Sequence, residues 1–367
     1  MRILFGMLLV ISFSASGCAQ PAGEVSLENK IGQMLMVGFR GTEIDAGNPI
    51  VEDIRDRNIG GVILFDYDVP SQHPLRNIQS ADQVKRLTEQ LQHLASTPLF
   101  IGIDQEGGQV VRLKPRFGFP QTVSAHYLGT VNNPDTTQLH ATQQARLLDQ
   151  QGFNVNFAPV VDLNTNPENP VIGKLDRSYS ADPEVVTTHA RIVAREHLKA
   201  GVIPVLKHFP GHGSAWNDSH KGIADVTETW QQVELKPYAN LIASDSIPAV
   251  MTAHVFNAKL DSTYPATLSS PVLDELLRDR LSFEGLIFSD DMQMQAIRSQ
   301  YGLETALKQA INAGVDILVF ANNSVFEEDI AERAISVISR MVERGEISRT
   351  TIEDSYKRIM RIKSTFE

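Results

Sequence analysis

The chain has 367 residues, of which 42% are hydrophobic and 21% charged, with a formal net charge of −11. That balance is ordinary for a folded globular protein and speaks against nucleic acid or an anionic membrane surface as a partner, since either would call for a basic stretch. Cys18 is the only cysteine, so the chain forms no internal disulfide.

At the N-terminus, Arg2 precedes a largely apolar run over 3–13, followed by small residues Ser14-Ala-Ser-Gly17 and then Cys18. The run is too short to cross a hydrocarbon layer of about 30 Å as a helix, but it fits a secretory signal. The segment Ala15-Ser-Gly-Cys18 resembles a bacterial lipobox. That resemblance implies a lipoprotein-type signal over 1–18 with Cys18 lipidated. The protein would then be tethered to a membrane and face outside the cytoplasm, in the periplasm or on the cell surface. Residues 19–27 read as the tether and 28–367 as one folded domain, expected to be a monomer.

From 27 onward, short apolar runs alternate with helical patterns. Strands are predicted over 34–39, 61–65, 99–104, 155–160, 202–208, 249–255, 286–290 and 316–320. Between the second and third, Val84, Leu87, Leu91 and Leu94 recur at helical spacing, with Ser80 and Gln83 set for a capping box. The spacing over 182–200 predicts another helix, with Asp182 as N-cap and Pro183 in the first turn. Further helices are expected over 303–314 and, divided by Gly345, over 325–367. Eight strands alternating with helices predict an α/β fold, a single-domain (β/α)8 TIM-type barrel. An open doubly wound sheet would favour a GxGxxG turn, and Ile101-Gly-Ile-Asp-Gln-Glu-Gly-Gly108 lacks that spacing.

Polar residues gather where these strands end. Asp104 ends the third and Asp162 follows the fourth. Lys207 and His208 end the fifth, His254 the sixth and Asp290 the seventh. In a barrel that rim is the catalytic face. The richest segment is Lys207 to His220, KHFPGHGSAWNDSH, in which Pro210, Gly211 and Gly213 break any helix. Asp218 stands two residues before His220, so its carboxylate can hold one imidazole nitrogen while the other moves a proton. In Phe288-Ser-Asp-Asp-Met292 two carboxylates are adjacent. An extended segment turns only one of them to the barrel mouth, and the other should cap a helix or accept backbone donors. A carboxylate at the mouth can serve as nucleophile, base or metal ligand.

Four segments together carry a resemblance: Asp104-Gln-Glu-Gly-Gly-Gln-Val-Val-Arg112, Lys207-His-Phe-Pro-Gly-His-Gly213, Asp218-Ser-His220 and Phe288-Ser-Asp-Asp-Met292. In content, order and spacing they resemble glycoside hydrolase family 3, in its bacterial single-domain β-N-acetylglucosaminidase (β-hexosaminidase) branch. The resemblance implies Asp290 as a nucleophile that forms a covalent glycosyl-enzyme, His220 as acid/base and Asp218 as its orienting partner. It also implies that Asp104, Arg112, Arg177, Lys207 and His208 grip the sugar hydroxyls, and that His254 and Met292 line the same pocket. The substrate would be a GlcNAc-containing oligosaccharide or muropeptide, with neither cofactor nor metal. Two departures stand out. Ser214 occupies a place where the family commonly has aspartate, and Ile172-Gly-Lys-Leu-Asp-Arg-Ser-Tyr179 is two residues longer than the usual Ile-Gly-x-Arg-Ser. Trp216 on the loop can pack on a sugar or anchor the loop.

Three other readings remain open from sequence. Phosphate could attack the intermediate in place of water, giving a phosphorylase. The barrel could bind glycans without turning them over. His208, His212 and Asp218 could serve a metal-dependent hydrolase, although Pro210 and Gly211 exclude the helical HExxH geometry.

Overall fold

Eight short, buried strands form the centre of the molecule. In chain order they are β1 Leu35–Gly38, β2 Gly61–Ile63, β3 Phe100–Ile103, β4 Val155–Asn156, β5 Ile203–Phe209, β6 Ala249–Thr252, β7 Leu286–Phe288 and β8 Leu318–Phe320. Our computed structural model describes residues 25–219, 222–244 and 247–366. The signal segment, Cys18 and His220 lie outside the described residues. Each strand pairs in parallel with its sequence neighbour, and β8 pairs with β1. The ring closes between β7 and β8 through the pairing of Phe288 with Ile317. Among the described residues this seam has no longer ladder, and Asp316 braces it. Its buried carboxylate takes Arg278 Nη2 (2.7 Å), Arg358 Nη1 (2.9 Å) and the Ile287 N–H (2.9 Å). The expected (β/α)8 barrel is therefore present, with every predicted strand in place.

Most strands are shorter than the apolar runs that announced them, for local reasons. The ladder of β4 stops at Asn156, where the Ala158 N–H turns back to the Asn156 carbonyl and Pro159 has no N–H to donate, and regular pairing resumes where Val160 bridges Lys207. The run over 249–255 divides at Ala253–His254, and Val255–Phe256 pairs instead with Ala224–Asp225. Helix Ala81–Leu94 starts at Ser80, whose Oγ accepts from the Gln83 N–H; Gln83 Oε1 reaches past the cap to the Gln79 N–H (2.8 Å). Helix Pro183–Lys199 is capped by Asp182 as its sequence predicts. Helix Gln295–Asn312 begins eight residues before the expected 303, because its first part is set off from the pattern over 303–314 by a kink at Gly302 (φ 67°).

Inside the barrel Met36 lies against Gly61 and Gly102, where an added Cβ would meet its Sδ or Cε. Phe288 packs edge-on to Phe100 and Phe157. Outside the strands, His197 is fully buried, with Nδ1 on the Val193 carbonyl (2.8 Å) and Nε2 on Asn156 Nδ2 (2.9 Å). The carbonyl requires a hydrogen on Nδ1 and the amide a lone pair on Nε2, so the ring is neutral. Burial pushes its pKa from 6.5 down to about 4. Above pH 6.5 both folded and unfolded chains hold this ring neutral, and its contribution is intact. As pH falls toward 4 the unfolded chain takes up a proton that the folded chain refuses, so stability is lost, by on the order of 3 kcal/mol. Urea midpoints at pH 7.5 and 4.5 should differ more for the wild type than for His197→Gln. An equal drop in both would assign the acid limb elsewhere.

Candidate active site

The strands all deliver their carboxyl ends to one face, where the loops enclose a cleft of about 560 Å³. That size suits a small-molecule site. Its apolar wall includes Ile63, Phe157, Met251 and Val319, and its polar lining includes Asp104, Glu106, Arg112, Arg177, Lys207, His208 and Asp290.

The loop after β3 is built to hold charge in place. Asn156 exchanges hydrogen bonds with the Gln105 backbone, its Oδ1 accepting the N–H (3.0 Å) and its Nδ2 donating to the carbonyl (3.1 Å). Gln105 Oε1 in turn accepts the Arg112 and Leu113 N–H groups. This closes a short hairpin that sets Asp104, Glu106 and Arg112 around the cleft. Lys207 Nζ sits between two carboxylates, 2.8 Å from Asp104 Oδ1 and 2.7 Å from Glu106 Oε1. Arg112 Nη2 reaches Asp104 Oδ2 at 3.1 Å. Arg177 grips Glu106 with two bonds of 2.7 Å. Burial alone would raise both carboxyls. Lys207 and Arg112 overcome it at Asp104, and Arg177 and Lys207 overcome it at Glu106, so both are held below the usual carboxylate range. Both therefore stay ionised.

The network continues through histidine. Arg177 Nη2 lies 3.2 Å from His208 Nε2, and His208 Nδ1 lies 2.7 Å from Asp162 Oδ2. An arginine can only donate and a carboxylate only accept, so His208 carries its hydrogen on Nδ1 and is neutral. Asp162 also accepts the His212 N–H at 2.7 Å. His208 and His212 are thus both held by Asp162, as parts of a scaffold. Burial pushes the His212 pKa down to about 4. Among the described residues no group of three His, Cys, Asp or Glu side chains is placed to hold a metal ion.

The loop after β5 is pinned by the one after β4. Asn169 Nδ2 donates to the His212 carbonyl (2.7 Å), and Asn166 Nδ2 to that of Ala215 (2.8 Å). Gly213 packs so closely that a Cβ would lie 1.7 Å from the Leu163 carbonyl. Asp218 is half-buried, and Ser219 borders the cleft. Trp216 is 63% exposed, so the loop's anchoring indole is another one, Trp230, which donates to the Pro210 carbonyl at 3.0 Å.

At the end of β7, Asp290 and Asp291 both border the cleft, where an extended chain would present only one. They differ in what they hold. Asp291 Oδ1 accepts the Gln293 and Ala321 N–H groups, both at 3.1 Å, the backbone duty expected of the second carboxylate. Asp290 is half-buried. Its N–H donates to Thr252 Oγ1 (3.3 Å), and its Oδ1 accepts the Asp291 N–H (2.8 Å). His254 and Met292, expected in the lining, stand behind it. His254 is fully buried, with Nε2 on the Asp291 carbonyl (2.9 Å) and Nδ1 on Thr267 Oγ1 (2.8 Å), and so braces the carboxylate pair. Met292 donates its N–H to Val319 and turns into the core, while Met294 and Met251 take places in the lining.

Residues 26–362 match the model of the glycosyl hydrolase family 3 N-terminal domain. The chain belongs to glycosyl hydrolase family 3. A relative, β-hexosaminidase from Tolumonas auensis, is 34% identical over 88% of this chain and 95% of its own length. Another, β-hexosaminidase A from Pseudoalteromonas piscicida, is 31% identical over 98% of this chain, which spans 64% of that relative. The solved family 3 β-N-acetylglucosaminidase from Paenibacillus sp. str. FPU-7 superposes with a TM-score of 0.85 at 34% identity, covering 93% of this chain and 63% of that one.

Within this family 3 framework, the two-residue extension before Arg177 is taken up by turns over 171–176, with Asp176 in the left-handed region (φ 56°). Arg177 still enters the cleft wall. Glu106 and Asp162 are the participants to which sequence reasoning gave no role. Glu106 carries a usable signal: it stands two residues past Asp104, within the same motif, where a second carboxylate can face the same cleft.

Proposed function

We propose that this family 3 enzyme is a retaining exo-β-N-acetylglucosaminidase that hydrolyses terminal, non-reducing β-linked GlcNAc from oligosaccharides or muropeptides. The observation that carries it is the Asp290 carboxylate at the end of β7, facing a cleft whose cations and carboxylates are already paired and fixed. The names of the β-hexosaminidase relatives supply the sugar. Asp104, Lys207 and Arg112 form a charged rim suited to sugar hydroxyls; such groups lose partners when a hydroxyl is missing, which gives selectivity. Arg177 and His208 hold that rim in register.

In the first step an Asp290 oxygen attacks C1 as the C1–O bond to the leaving group breaks, and His220 gives its proton to the departing oxygen. In the second, His220 takes a proton from water, water attacks C1, and Asp290 is released. Asp218 orients the imidazole. The lipobox-like segment ending at Cys18 supports a membrane-anchored location outside the cytoplasm, where cell-wall or chitin-derived fragments would be met.

The protein should release nitrophenol from 4-nitrophenyl β-N-acetylglucosaminide in phosphate-free buffer. No release by folded protein would overturn the assignment. Release only when phosphate is added, with GlcNAc 1-phosphate as product, would make it a phosphorylase. His220→Ala should lower kcat/KM, which reports the glycosylation step, by roughly 10²–10⁴-fold for an alkyl β-N-acetylglucosaminide while sparing that of the nitrophenyl substrate, whose leaving group needs no acid. Equal losses on both would remove His220 from the acid role.

A further inference from the structure

The loop that bears Asp218 and His220 is gripped from two sides. The asparagines after β4 hold one side. The other rests on the segment 230–234, where Trp230 holds the Pro210 carbonyl and Glu234 lies beneath Gly211 and Ser214. Glu234 is only 1% exposed. Its Oε1 accepts the Gln231 N–H at 3.3 Å. Its Oε2 and Ser214 Oγ are both buried without a well-formed hydrogen bond among the described residues, although the Ser214 side chain and N–H lie close enough to pull on the carboxyl. Gly211, at φ 126°, backs onto this carboxyl so closely that a Cβ there would lie 2.8 Å from Oε2. Asp162 and the buried Tyr238 hydroxyl are the other polar groups around it. Burial pushes the Glu234 pKa up to about 7, against the pull of Ser214 and the Gln231 N–H.

Two buried polar atoms side by side and imperfectly paired are costly, and native proteins rarely keep them without a use. A small shift of the loop that joins Ser214 Oγ to Glu234 Oε2 satisfies both at once. Either group can donate, the serine through its hydroxyl or the glutamate through its carboxyl proton. We propose that Glu234 is a positioning residue for the proton-transfer step, acting through Ser214 to seat the loop that carries Asp218 and His220. The proposal rests on reading His220 as the acid/base.

The test uses alkyl and 4-nitrophenyl β-N-acetylglucosaminides at pH 6 with Glu234→Ala, Glu234→Gln, Ser214→Ala and the Ser214→Ala/Glu234→Ala double variant. Misplacement of a catalytic group by about 1 Å costs on the order of 10²-fold. Glu234→Ala should therefore lower kcat/KM on the alkyl substrate by about 10–100-fold through kcat, with KM little changed, and leave kcat/KM on the nitrophenyl substrate nearly intact. Glu234→Gln, an uncharged isostere, should recover most of that loss. The double variant should be no worse than Glu234→Ala alone, since both changes break one contact. Equal losses on the two substrates, no recovery by Gln, or fully additive losses in the double variant would each overturn the proposal. His220→Ala in the same series separates the readings. If it discriminates between the aglycones and Glu234→Ala does not, only the Glu234 role falls. If it does not discriminate, the acid assignment falls and takes this role with it.

Discussion

Asp290→Ala should lower turnover of 4-nitrophenyl β-N-acetylglucosaminide by roughly 10³-fold or more while leaving the fold intact. Loss of a covalent nucleophile commonly costs 10³–10⁶-fold. The carboxylate is well held for that task. Its N–H rests on Thr252 Oγ1, Thr252 is fixed by Thr267 Oγ1 (2.8 Å), and its Oδ1 takes the Asp291 N–H. His254 supports the turn from behind through the Asp291 carbonyl. Truncation removes only the bond to the Asp291 N–H and leaves the Thr252, Thr267 and His254 contacts standing, so the barrel should melt near the wild-type temperature. Azide added to the variant should enter the vacated space and restore part of the turnover, giving the α-glycosyl azide by a single displacement. Activity within about tenfold of wild type, or a β-configured azide product, would show that Asp290 is not the nucleophile.

Glu106→Ala should be the most damaging change in the substrate rim. Glu106 is the shared anion for Arg177 and Lys207, both nearly buried, and its removal leaves two cations facing each other with only Asp104 to compensate. Breaking a buried pair from one side typically costs about 3–5 kcal/mol, because the remaining charge has lost its solvent and its partner. Arg177 would also cease to hold His208 in line with Asp162. We expect a fall in unfolding free energy of that size and a fall in kcat/KM of at least about 10²-fold. Glu106→Gln, which keeps the shape, should cost less on both counts. A denaturation midpoint unchanged by Glu106→Ala would show that the network is decorative.

The barrel was legible because parallel strands buried on both faces read as short apolar runs, and helices between them keep their own period. Ends were less legible. The halt of β4 depends on Pro159 meeting a ladder, and the division at Ala253–His254 depends on a histidine recruited by Asp291, 37 residues away. The ten-residue π-helix Pro271–Arg280 leaves no mark at a 3.6-residue period. In the site, Asp104, Lys207, His208 and Asp290 announced themselves by standing at strand ends, and Arg112 by the motif it shares with Asp104. Glu106 pairs with Arg177 across 71 positions and Asp162 with His208 across 46, and such partnerships exist only after the ring has closed. His254 and Met292 were misplaced for the complementary reason: position at a strand end does not say which way a side chain turns once its neighbours compete for it.

The seam between β7 and β8 bears on how the enzyme would wear out. The strand leading to Asp290 pairs with β6 at three residue pairs but with β8 at one; scattered backbone bonds from Ser289, Met292, Asp316 and Ile317, with Asp316 and its two arginines as a clasp, hold the rest of that seam. Hydrogen exchange at equilibrium should register this as the first part of the sheet to open, well below the global melting transition. On warming, Asp290 would then lose its alignment while most of the barrel is still folded, so heat inactivation would run ahead of denaturation and reverse on cooling.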